Sequence, residues 1–412
     1  MSLSNIEPKN KFSLAAIIIS FLPITFFLGS GLVNFFVILL DILFIIEIIK
    51  NKNFKYLNNI YFFLLIIFWT ALIINLIFSI SFHNSLPRTI GFLRFIFLPF
   101  AINYFLFDRK ENYSDFILKI WTVVFLIISF DLIYEYVFGS NILGFKSYMP
   151  GRLSGFFNQE LKIGHLYSAF ILISSSYIFE KLKKLKFNKN YYFEFLHSNL
   201  IYLFIILFLF VSFVIGERSN FIKTLLISSI FIIFFENKNF SKKIISLLIG
   251  FIIFFSIILS NENYKYRFWN SFFGPLLDNP VEYISNSNYG THYKVGIEVF
   301  KNNKFFGVGL KNYREEITKD YYDKNASIHP HQIHIELLSE IGIFGYSIFI
   351  ILFFLSLKNA ITNFLIKKNN YKLAGILFVL VSLMPIIPSG SFFTTYGATL
   401  FWINFGFLIK KD

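Results

Sequence analysis

Apolar runs of about 17 to 22 residues, separated by short polar clusters, recur along this chain, and each is long enough to cross a hydrocarbon core about 30 Å thick as a helix. Twelve can be read, near 12–28, 31–49, 60–80, 86–107, 115–138, 164–181, 199–215, 219–235, 243–259, 333–357, 373–387 and 393–409. They predict an all-α fold, a polytopic transmembrane helical bundle whose connections alternate between two sides. One connection, residues 260–332, is far longer than a simple loop and predicts a small outer subdomain of short helices. Within it Thr291 to Asn302 has helical spacing, with Tyr293, Ile297 and Phe300 able to share a face. The organisation expected is therefore helices one to nine over 1–259, the outer subdomain over 260–332, and helices ten to twelve over 333–412.

Composition settles the class: 56% hydrophobic residues, 21% aromatic and only 15% charged exclude a water-soluble fold. Charge then orients the helices. With the N-terminus in the cytoplasm, the inward segments carry Lys9 and Lys11, then Lys50, Lys52 and Lys55, then Arg109 and Lys110. Lys181, Lys183, Lys184, Lys186 and Lys189 follow, then Lys238, Lys242 and Lys243, then Lys358, Lys367, Lys368 and Lys372, with Lys410 and Lys411 last. Basic residues gather on the cytoplasmic side of membrane proteins, and a shift of one segment would invert nearly all of them. The net charge of +14 is thus mostly a topology signal; it fits anionic membrane lipids and gives no reason to expect nucleic acid. Residues 1–31 also resemble a signal peptide, but the next run begins at once and Gly29-Ser30-Gly31 suits a tight turn, which favours a retained first helix. The absence of cysteine excludes disulfide and thiol chemistry.

Arginine breaks the pattern that lysine obeys. Of seven arginines, six fall in outward segments: Arg88, Arg94, Arg152, Arg218, Arg267 and Arg314. A guanidinium pairs bidentately with phosphate or carboxylate where an ammonium offers only a point charge, so this bias points to a site for an anionic ligand. Arg152 stands in Gly-Arg-Leu-Ser-Gly-Phe-Phe-Asn and Arg218 in the short turn Gly-Glu-Arg-Ser-Asn. For either, the bland alternative is a headgroup contact or a loop salt bridge, with Glu217 adjacent. Arg94 lies about 12 Å along its helix and must snorkel or face a polar cavity. Arg267 and Arg314 can be solvated by the polar loop without a ligand.

Downstream comes His329-Pro330-His331-Gln332-Ile333-His334-Ile335-Glu336. Pro330 cannot sit deep in a helix, so the helix is expected to start at or just after it, with His331 at its mouth. A helix N-terminus keeps an imidazole neutral and favours a nearby anion, a combination that suits a base beside a phosphate-bearing substrate. Metal binding by His329, His331 and His334 has no HExxH pattern or cysteine partner behind it, and no metal or other cofactor is expected. Glu340 falls on the far side of the helix from His331 and reads as structural. Asp41, Asp131 and Glu135 read as polar contacts between helices. The run Gly307-Val308-Gly309 reads as a turn permitting close backbone approach, outside any dinucleotide-binding context.

Gly307-Val308-Gly309, His329-Pro330-His331-Gln332 and Glu340-Ile341-Gly342 through Gly345, with the earlier arginine motifs, resemble the shared signature of bacterial O-antigen ligases and O-antigen polymerases. The resemblance covers about residues 85–350. It implies an inverting, metal-independent glycosyltransferase of the C type in the bacterial inner membrane, moving a glycan from undecaprenyl diphosphate at the periplasmic face to a lipid A core or a growing saccharide. In that family arginines hold the diphosphate, which here assigns Arg152, Arg218 and one of Arg88 or Arg94. A histidine at the position of His331 assists the acceptor hydroxyl, with His329 and Gln332 as accessory candidates. Gln332 stands where Asn is commoner, and Glu217 where a small hydroxyl residue is commoner. The competing expectation is a transporter or flippase of lipid-linked glycans, which calls for a polar site near the bilayer midplane in broken helices. A scaffold without chemistry would leave the arginines and histidines unexplained.

Overall fold

The computed structural model describes residues 13–109, 113–184, 191–235 and 240–410, with backbone alone for 191–198. Lys9, Lys11, Lys110, Lys186, Lys189, Lys238 and Lys411, counted above among the inward lysines, lie outside the described residues. Among the described residues there is no strand, and each apolar run is helical over most of its length. The first ten helices are α1 (Leu14–Leu28), α2 (Ser30–Lys50), α3 (Ile60–Ile77), α4 (Phe82–Gly91), α5 (Leu93–Asn103), α6 (Ser114–Phe138), α7 (Ile163–Lys184), α8 (Tyr191–Val214), α9 (Arg218–Phe234) and α10 (Phe240–Ser260). The long connection folds into α11 (Glu262–Tyr264), a π-helical stretch (Lys265–Phe273), α12 (Gly274–Asp278), α13 (Pro280–Asn286), α14 (Asn288–Asn302) and α15 (Tyr313–Glu316). Then come α16 (Ile333–Lys367), α17 (Asn370–Ser382) and α18 (Thr395–Leu408).

Among the described residues, six helical segments are long and apolar enough to cross a membrane: α2, α3, α4 with α5, α6, α10 and α16; α1, α17 and part of α8 are shorter apolar helices. Large apolar side chains stand exposed in rows, such as Ile38, Ile42, Ile46 and Ile49 on α2 and Ile245, Leu248, Ile252 and Leu259 on α10. Such faces belong against lipid, where the helices satisfy their own backbone groups. The protein is a polytopic helical membrane protein.

Three boundaries differ from the sequence expectation. The fourth run divides at Phe92 into α4 and α5, α16 continues to Lys367, and α17 stops at Ser382. Residues 383–394 then form a loop, where Pro385 and Pro388 withhold the N–H groups a helix needs. The predicted helix in the outer segment is α14, capped by Ser287, but it buries Val295, Gly296 and Val299 instead of the Tyr293, Ile297 and Phe300 face. Gly296 is the reason: a Cβ there would come within 2.4 Å of Ile335, so α14 rests on α16 through its smallest side. Val295 and Val299 join Val308, Tyr313, Ile317 and Tyr322 in a small separate core.

The Gly307-Val308-Gly309 turn engages a break in α16. Gly342 has φ 64° and ψ −174°, a combination open essentially to glycine alone, and the helix is interrupted there. The interruption strands carbonyls that a bilayer cannot satisfy. Val308 and Gly309 donate to them instead, to Ser339 O at 2.9 Å and Glu340 O at 2.8 Å, while Ile343 and Phe344 donate back to Lys304 O and Phe305 O. The long segment is thereby joined to the bundle through main chain. A Cβ on Gly342 would lie 2.3 Å from Phe305 O. Gly342→Ala is therefore expected to cost at least about 2 kcal/mol and to lower the melting temperature in detergent, followed by size-exclusion fluorescence. Wild-type melting would show that this joint contributes little.

Candidate functional site

Two buried carboxylates near the end of α6 fix the loop that bears Arg152. Glu135 accepts from Ser154 N at 3.1 Å and Gly155 N at 2.7 Å, and Asp131 accepts from Ile142 N at 3.0 Å. Their role is thus more than contact between helices: they set the path of residues 139–163. Two glycines then bring this loop against the α8–α9 turn. Gly151 and Gly216 both have positive φ, and a Cβ on Gly216 would lie 1.9 Å from Gly151 O. Leu153 N bonds Ile215 O at 3.0 Å, so Arg152 and Arg218 converge although 66 positions separate them.

Their meeting place is a cavity of about 310 Å³, lined by Arg152, Arg218 and also Arg267. Each guanidinium is held by one backbone carbonyl: Arg152 by Leu161 O (2.7 Å), Arg218 by Ser271 O (2.9 Å) and Arg267 by Gly216 O (2.6 Å). Glu217 is the carboxylate in the wall, and its Oε1 pairs with Arg152 at 2.8 Å. Burial raises the Glu217 pKa against the opposing pull of Arg152. Burial, with repulsion from Arg152 and Arg218, pushes Arg267 down to about 10. Three cations against one carboxylate leave the cavity net positive, as an oxyanion with more than one charge requires.

A second cavity, of about 280 Å³, adjoins the first, and Glu217, Ser219, Tyr289 and Pro388 belong to both walls. His331 lines it, at φ 54°. The helix begins just after Pro330, at Ile333: Gln332 is the N-cap of α16, its side chain accepting from Ile335 N at 3.0 Å. His331 therefore precedes the cap. Ser389 N holds its carbonyl (2.8 Å), Ser327 Oγ lies 3.1 Å from its Nε2, and the rings of His329, His292 and Tyr289 pack around it. Burial, then His329 and His292, pushes His331 down to about 3; burial takes His329 to about 4. The His331 ring is neutral at physiological pH. Among the described residues no three His, Asp or Glu side chains converge as metal ligands.

Arg88 and Arg94 belong to neither cavity. Arg88 donates to Phe393 O and feels the charges of Glu340 and Glu336. Glu336 in turn receives Ser391 Oγ and Phe392 N, so together they fasten the 388–394 loop. Arg94 donates to Gly91 O, lies over the Phe95 ring and faces the charge of Asp41 on α2. Both cations donate to backbone carbonyls outside the cavities, and it is Arg267 that shares the first cavity with Arg152 and Arg218. Arg314 is exposed on α15. His334 is engaged by Leu383 O and Tyr346.

Several residues of the second cavity escaped sequence reasoning: Lys162, His165, Lys223 and Tyr289. Lys223 was legible in principle, because an ionisable side chain within a membrane span marks a functional site by default. Residues 203–350, from within α8 into α16, match the family model described as O-antigen ligase. The curated proteins offer no match.

Proposed function

We propose, on the premise that residues 203–350 form an O-antigen ligase domain, that this protein transfers a glycan from undecaprenyl diphosphate to a saccharide or lipid A core acceptor. The match supports a glycan-transferring membrane enzyme of lipopolysaccharide biosynthesis that acts on a lipid-linked glycan and an acceptor. The identity of the donor, an inverting course without metal, and an active site on the periplasmic side of the inner membrane are the finer parts of the proposal. The observation that carries it is the common wall between the two cavities, with three arginines on one side and a neutral histidine on the other.

In this reading the diphosphate occupies the arginine cavity and the acceptor hydroxyl enters beside His331. The acceptor oxygen bonds to the anomeric carbon from the face opposite the diphosphate, and the bond from that carbon to the phosphate oxygen breaks. His331 takes the hydroxyl proton, while the electron pair leaves with the diphosphate and is stabilised by Arg152, Arg218 and Arg267. A ring held at about 3 is by itself a weak base. The negative diphosphate next to it raises its basicity, so arrival of donor readies the base.

Transport is the weaker reading. Its requirement for a broken helix is met at Gly342, but the carbonyls freed there are taken by Val308 and Gly309 and leave no ion site. The deciding experiment reconstitutes the protein in liposomes with undecaprenyl diphosphate-linked glycan and an acceptor, and follows the new glycosidic bond. Movement of glycan across the bilayer with no such bond would favour the flippase. The orientation is tested separately in this cysteine-free chain: a cysteine at the exposed Asn288 is expected to react with an impermeant maleimide from the periplasm. Labelling solely from the cytoplasm would invert the topology.

A further inference from the structure

Two lysines line the second cavity; Lys162 pairs with Glu160 and lies over the Phe157 and Tyr396 rings, and the reaction above uses neither it nor Lys223. Lys223 stands five residues into α9, about 7.5 Å along the helix, and is only 8% exposed, so its ammonium does not snorkel to water. It lines the cavity. Buried lysines elsewhere need not be free: Lys243 donates to Ile233 O at 2.7 Å and Phe235 O at 3.2 Å. For Lys223 no hydrogen bond or ion pair is found among the described residues. The acid whose charge reaches it, Glu217, is already paired with Arg152 at 2.8 Å and also receives Asn220. An ammonium in a membrane span with no fixed counter-ion is costly unless something brings one.

Resting on the glycan-transfer reading, we propose that Lys223 makes this cavity a subsite for an acidic sugar, whose carboxylate it receives. The ligand class follows from the surroundings. Ser389, Ser391, Thr394 and Asn220 share the wall, hydroxyl and amide groups of the kind that bind sugar hydroxyls. A single ammonium is a point charge that matches one carboxylate, whereas the arginine forks next door match phosphate oxygens. Glu217 between the two opposes a doubly charged group on the lysine side. The acid can be carried by the donor's first sugar or by the acceptor, since both meet at this cavity.

Binding is measured on the full chain in lipid nanodiscs, titrated with a glucuronate-terminated disaccharide and with its glucose counterpart. The wild type is expected to prefer the glucuronate by about tenfold or more, and Lys223→Met to lose the preference. Arg218→Ala, which disables the diphosphate site, is expected to keep it. Equal affinity for the two sugars in the wild type overturns the proposal, and that comparison stands even if Lys223→Met does not fold. Preference lost in Arg218→Ala but kept in Lys223→Met also overturns it, placing the carboxylate among the arginines. Because no transfer is involved, failure of the glycosyltransferase reading leaves this result unaffected. In transfer assays an acidic acceptor with neutral donor, and the reverse pairing, identify the substrate that carries the acid by which KM rises in Lys223→Met; a rise in neither overturns the proposal.

Discussion

Replacing His331 by Ala is expected to lower transfer by about 10²- to 10⁴-fold while the protein stays folded, inserted and able to bind donor. The side chain lines a cavity and is bonded through its ring to Ser327 alone, so truncation opens space that already exists. Its main-chain link to Ser389 N survives the change, and the carbonyls that hold the three arginines are untouched. The loss should therefore appear in kcat with little change in donor affinity. The measurement is single-turnover transfer in proteoliposomes beside direct binding of the diphosphate donor. Full transfer by the variant would remove His331 from the chemistry; lost donor binding would make it a binding residue.

Arg218→Ala is expected to cut kcat/KM by about a hundredfold or more, and Arg218→Lys to recover only part of that. Arg218 is the first residue of α9, where backbone N–H groups add to the attraction for an anion, and Ser271 O and the Phe272 ring orient its fork. A lysine keeps the charge but has one donor centre in place of the two-pronged edge. Donor binding and transfer should fall together, because the diphosphate is held before reaction and gains charge during it. Quantifying both in the same reconstituted preparation checks this. An Arg218→Lys protein equal to wild type would mean that charge alone matters at this position.

The helices were legible because hydrocarbon thickness sets the length of an apolar run, and nothing about partners is needed to read it. Arg152 and Arg218 were legible for a related reason: outward arginine opposes the lysine bias. What could not be read was which cations share a cavity. Arg88 and Arg94 lie on the expected side, yet each donates to a backbone carbonyl outside both cavities, Phe393 O for one and Gly91 O for the other. Arg267 looked like Arg314 in sequence, both in a polar loop. The π-helical stretch carries Arg267 back over Gly216, and α15 leaves Arg314 in the open. The apolar run marked the start of α16 at Ile333, but the capping side chain of Gln332, which leaves His331 just ahead of the helix, has no signature as plain as that of Pro330.

The contacts of the 388–394 loop bear on the order in which the site comes into being. Ser389 fixes the His331 carbonyl, Ser391 and Phe392 hold Glu336, and Phe393 engages Arg88. This loop is synthesised after the three arginines and the carbonyls that hold them, all of which precede α14. During synthesis the arginine cluster can therefore be held in place before the His331 carbonyl is fastened by Ser389. In the glycan-transfer reading, activation then waits until α17 and the 388–394 loop have been made, and a chain that stops before them lacks a fastened base.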